Sequence, residues 1–118
     1  MIAPEKLLFE GDYVARLYDV GYATPWASSR VEFVDKKLES KLVGVTTMLS
    51  FDLGLDEMEL SEEGEDMLWE KKLVELGLTV DDLQLDRDGK WSVEWKDGSS
   101  HEIRAVRFYE DGHMEWRG

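Results

Sequence analysis

The alternation of apolar and polar positions is clearest in the last third of the chain. "KWSVEW", "SHEIRAVRFY" and "HMEWR" alternate with a period of two and are separated by turn signals in "KDGS" and "YEDGH", so they predict three strands joined by hairpins. A two-residue turn at Asp111-Gly112 sets Glu110 against His113, Tyr109 against Met114 and Arg107 against Trp116. The same turn at Asp97-Gly98 would oppose Trp91, Val93 and Trp95 to Arg104, Glu102 and Ser100, which wastes the apolar face. A three-residue loop there instead sets Trp95 against His101, Val93 against Ile103 and Trp91 against Ala105. A slip of one residue would turn every side chain to the other face, so this register is the expected one. One face then carries Trp91, Val93, Trp95, Ile103, Ala105, Tyr109, Met114 and Trp116, an aromatic wall for a core.

Upstream the period changes. In "LSEEGEDMLWEKKLVELGL" the residues Leu68, Trp69, Lys72, Leu73 and Leu76 share a helical face, Ser61 is placed to cap the start, and Gly77 supplies the stop. "LTVDDL" adds a further helical turn, because Thr79 and Asp82 have capping-box spacing. "LVGVTTMLSFDLGL" fits two patterns. As a helix, Leu38, Leu42, Val45 and Leu49 line up; as a strand, Val43, Val45, Thr47, Leu49, Phe51, Leu53 and Leu55 alternate. The longer alternation, the β-branched residues and two glycines favour the strand. With "YVARLYDVG" and "RVEFV" as further strands, the expected fold is α+β. It has an antiparallel sheet of about five to seven strands and one main helix over about 61–76, and it ends in a three-stranded meander. At 118 residues, the whole of 1–118 is expected to form a single domain.

Charge changes the picture more than composition does. The net charge is −13, yet residues 1–41 and 87–118 each carry seven acids and six bases. Residues 42–86 carry thirteen acids against only Lys71 and Lys72. Such an acidic region repels nucleic acid and anionic membranes and attracts basic proteins, so direct nucleic-acid binding and membrane association are not expected. The chain has no cysteine, which removes disulfides and thiolate chemistry. "MIAPEKLLFEGD" has acids at Glu5, Glu10 and Asp12 and no long apolar run, unlike a secretory leader, so a cytoplasmic location is expected.

Candidate chemistry is sparse. His101 and His113 stand in no His-Glu-x-x-His spacing, and no Gly-x-Ser-x-Gly or Gly-rich phosphate loop occurs. Taking Gly89 of "DRDG" as the sixth position of a calcium loop puts Gln84 first and Trp95 twelfth, where carboxylates are required. No catalytic residue, cofactor or metal is therefore expected. Two features remain as partner-binding candidates. The tract "DEMELSEEGED" presents Asp56, Glu57, Glu59, Glu62, Glu63, Glu65 and Asp66. The stretch "GYATPWASS" reads as a loop in which Pro25 stiffens the backbone before Trp26, with Tyr22 nearby, so that an aromatic edge is displayed. In general character (small, acidic, cysteine-free, without a catalytic set) the chain resembles bacterial immunity and inhibitor proteins or a phage-type nucleic-acid mimic, a likeness of composition alone. That likeness implies a cytoplasmic binding protein that neutralises a basic partner such as a nuclease toxin. The alternatives are an accessory or structural domain and, further off, a small-ligand binder or enzyme using the aromatic wall and His101.

Overall fold

A computed structural model describes residues 3–118; Met1 and Ile2, which the single-domain reading includes, lie outside the described residues. The elements are β1 (Lys6–Phe9), β2 (Asp12–Ala23), β3 (Trp26–Phe33), α1 (Lys36–Glu57), α2 (Glu62–Glu75), a 3-10 turn (Asp81–Gln84), β4 (Trp91–Glu94), β5 (Ser100–Phe108) and β6 (His113–Arg117). All strand pairs are antiparallel, and the order β1-β2-β3-β6-β5-β4 closes into a barrel when β1 pairs with β4. The fold thus mixes helices with an antiparallel sheet of six strands, but the sheet is closed rather than open.

Closure needs local bends, and three pairings shift register to provide them. Two of the irregularities carry non-glycine residues in the left-handed region, Asp19 (φ 53°) in β2 and Ala105 (φ 54°) in β5. At the second, the backbone N–H of Ala105 donates to the Asp88 carboxylate at 3.1 Å, giving the bulged amide a partner outside the ladder.

Both C-terminal hairpins depart from the expected register, and for one reason. Each has a three-residue loop that ends in a left-handed glycine, Lys96-Asp97-Gly98 (Gly98 φ 87°) and Glu110-Asp111-Gly112 (Gly112 φ 83°). In each, the Asp side chain accepts the backbone N–H two residues on, from Ser99 at 2.9 Å and from His113 at 3.1 Å. The first loop therefore lies one residue earlier than expected and pairs Trp91 with Ile103 and Val93 with His101, a shift of two that keeps the same faces together. The second is one residue longer than expected and pairs Phe108, not Tyr109, with Met114. That reverses the phase of the end of β5, and the Ala105 bulge reconciles it with Ile103. Val106 and Phe108 consequently fill the interior, while Ala105, Tyr109 and Trp95 are only partly buried.

Residues 42–55 are a correction of kind. They belong to α1, not to a strand. Asp35 caps the helix by accepting the N–H of Lys37 at 2.9 Å. The barrel already satisfies its strand edges through β1, so a further strand has nothing to pair with. Gly44, which counted against a helix, allows Leu78 to lie directly on α1, since a Cβ there would stand 3.3 Å from the Leu78 methyls. Leu42 is fully buried and joins the barrel core, and Thr46 Oγ1 accepts the Phe108 N–H at 2.9 Å. Tertiary packing overrides the strand propensity of this segment.

The main core lies inside the barrel. Trp91 packs against Phe9 and Phe108 with ring centroids 4.8 and 5.3 Å away, and its Nε1–H donates to the Leu85 carbonyl at 2.7 Å, so the buried indole keeps a partner. A second cluster joins the helices: Val45, Met48, Leu73 and Leu78, flanked by Phe51 and Trp69. Ser61 caps α2 by accepting the Gly64 N–H, and Gly77 (φ 70°) follows its end. Thr79 and Asp82 exchange hydrogen bonds at 2.9 and 3.3 Å, the reciprocal pattern that their spacing predicts. The molecule measures 52 Å along its longest axis against 29 and 25 Å across.

Candidate functional site

Two sites stand out, and they occupy different parts of the molecule. The first is the tip of the α1–α2 hairpin. Asp56 and Glu57 close α1, Glu59 lies in the connecting turn with φ 51°, and Glu62, Glu63, Glu65 and Asp66 begin α2. All are exposed except Glu65, which is partly buried. None of these side-chain carboxylates takes part in an ion pair or hydrogen bond among the described residues. Apolar side chains are exposed among them, notably Met58 (56 %) and Met67 (73 %).

The helix dipoles divide these acids into two groups. Glu62, Glu63 and Glu65 sit in the first turn of α2, where the free N–H groups favour negative charge. Asp56 and Glu57 sit in the last turn of α1, which holds no basic residue, so they face the negative end of their own helix. The first group stabilises the fold locally. The second opposes it.

The second site is the end of the barrel away from α1. The strands fix this polarity: Phe33 and Phe108 lie towards α1, whereas Trp26, Val93 and Trp116 lie at the other end of β3, β4 and β6. There a recess of about 400 Å³ is lined by Tyr22, Trp26, Val93, Trp95, His101 and Trp116 among others. "GYATPWASS" is not a loop. Ala23 pairs with Trp26 across a tight turn at Thr24 and Pro25, whose peptide bond is cis, so Trp26 opens β3. Trp26 is 36 % exposed, with the Arg117 guanidinium 5.7 Å from its ring centroid, and Tyr22 is 51 % exposed. The partner-binding candidates read from sequence are therefore split: Tyr22 and Trp26 come together at the barrel mouth, and the seven acids lie on the hairpin.

The histidines separate too. His101 is opposite Val93 and borders the recess, while His113 stacks on Tyr109 (centroids 4.5 Å apart) and is hydrogen-bonded through Nδ1 to the Asp111 carboxylate. That bond holds the Asp111 carboxyl below its usual range. Burial, followed by the nearby Glu115, raises the Tyr109 phenol. Among the described residues no group of three or more His, Asp or Glu side chains is placed to hold a metal, and no helix is long and apolar enough to cross a membrane. Sequence reasoning offered the aromatic wall and His101 only as a distant alternative for a small ligand and gave no recess, because Val93, Ile103 and Trp116 look like ordinary core until the barrel's open end is known. The chain matches no protein-family model, no curated protein and no solved structure.

Proposed function

We propose that this chain is a binding protein whose α1–α2 tip engages a basic partner protein in the cytoplasm, in the manner of an inhibitor. The observation that carries this reading is the placement of Asp56 and Glu57 at the negative end of α1, unpaired and beside further unpaired acids. A face that merely kept the chain hydrated would need neither acids set against their own helix nor the exposed Met58 and Met67 among them. Carboxylates around flexible apolar side chains suit a cationic surface with apolar contacts at its centre.

The electrostatics set the test. Attraction of this kind acts mainly on encounter, so the association rate with a co-purified basic partner should fall steeply as the Debye length shrinks from about 30 Å to about 8 Å. Changing Glu59, Glu62, Glu63 and Asp66 together to Lys should slow association by roughly one to two orders of magnitude, with less effect on dissociation. The Gln versions remove charge without adding repulsion and should show a smaller slowing. Association that ignores both salt and these substitutions would remove the support for this function.

A further inference from the structure

We infer that the barrel mouth is a binding site for a small uncharged molecule carrying a ring system, separate from the acidic tip and independent of its proposed role. A recess of about 400 Å³ is within the range of small-ligand pockets, which are mostly apolar with a few polar groups that fix orientation. Its walls are largely aromatic: Tyr22, Trp26, Trp95 and Trp116 face it, with Val93 deeper in. Aromatic faces at a concave site favour offset stacking of a flat ring.

The charge of the ligand follows from what the lining omits. No Asp, Glu, Lys or Arg side chain lines the recess among the described residues. A charged ligand entering it would lose hydration without gaining a counter-charge from a side chain of its walls, the Arg117 guanidinium being at the rim and already over Trp26. A cation is disfavoured further, because the Arg117 guanidinium already lies over Trp26 at the rim. The polar groups on offer suit a neutral molecule with one or two hydrogen-bonding atoms. His101 and Thr24 line the mouth and can each exchange a hydrogen bond with such a molecule.

A matched series of probes tests this on the full chain: naphthalene-2-methanol, naphthalene-2-carboxylate and naphthalene-2-methylammonium, titrated by calorimetry and by the indole N–H resonances. Expected is saturable binding of the alcohol that shifts the signals of Trp26, Trp95 and Trp116 and leaves Trp69, which belongs to the helical cluster, in place. Both charged probes should bind at least tenfold more weakly. Trp26→Ala should weaken the alcohol about tenfold while the chain stays folded at the titration temperature, as its melt checks, and Trp26→Phe should restore most of the affinity. Absence of saturable binding by the alcohol would overturn the site. A charged probe binding as tightly as the alcohol would overturn its assignment to neutral ligands, and a Trp69 shift equal to the others would show non-specific adsorption instead.

Discussion

The barrel and the helical hairpin differ in how they treat charge and burial. In the barrel, Trp91, Phe108, Met114 and Ile103 are almost wholly enclosed, and bulged or buried donors such as the Ala105 N–H and the Trp91 indole find acceptors. The two sequence segments that build it are nearly neutral. The hairpin holds most of the net charge and rests on a core of four buried side chains, and its tip exposes methionines among unpaired acids. One region concentrates stability and the other gives some of it up. Surfaces that bind are commonly drawn from the less stable parts of a fold, because unpaired groups are what a partner can use.

The largest way to break this contrast is Trp91→Ala. Removing the central indole should cost about 3–5 kcal/mol and melt barrel and helices in one transition, since Leu42 and Thr46 dock α1 onto the barrel. Chemical denaturation followed by tryptophan emission and by helical circular dichroism measures this; helices that outlast the barrel would show that the hairpin stands alone. Next in size is Leu73→Ala, at about 2–3 kcal/mol in the smaller cluster. Here hydrogen exchange should accelerate in α2 while amides of β3 and β6 keep their protection. Equal acceleration in both regions would erase the distinction.

Asp82→Ala should cost about 1 kcal/mol by removing the acceptor for the Thr79 N–H. The sign with pH follows from the carboxyl. Hydrogen bonding by the Thr79 backbone, then its side chain and Lys41, lowers the Asp82 carboxyl below its ordinary 3.8, against a smaller opposing effect of burial. Its contribution is thus present at neutral pH and lost as pH falls below the ordinary carboxylate range, so wild type and variant should converge in thermal melts at acid pH. Asp86 runs the other way. Burial raises its carboxyl more than Arg107 lowers it, so acidification relieves the cost of its charge rather than adding one. The smallest effect is the most discriminating. Changing Asp56 or Glu57 to Lys should stabilise α1 by about 0.3–1 kcal/mol at low salt, yet slow association with a basic partner. If such a variant is more stable and binds unchanged, the acids of the tip are not there for binding.

Legibility from sequence followed the range of the interactions involved. The α2 start at Ser61 and stop at Gly77, and the Thr79–Asp82 exchange, were readable because capping is settled within four residues. The acidic tract was readable as charge, but its conflict with the end of α1 was not, because residues 42–55 read as a strand. Trp26 and Tyr22 were readable as aromatic outliers, though not as the rim of a recess whose other walls come from β4, β5 and β6. The hairpin registers failed on a local detail: Gly98 and Gly112 take the last position of three-residue loops, where φ is positive.

What the sequence determined by itself was local and electrostatic: the strand periods, the helix caps, the −13 net charge and its concentration between Leu42 and Asp86. These depend on neighbours along the chain or on simple addition of charge. Closure of the sheet, the helical state of residues 42–55, the choice of Phe108 over Tyr109 for the core and the meeting of four aromatic residues at one barrel end were decided only in three dimensions. Each depends on contacts between distant segments, and a segment that can be either helix or strand takes the state that leaves no backbone edge unpaired and no large apolar face in water.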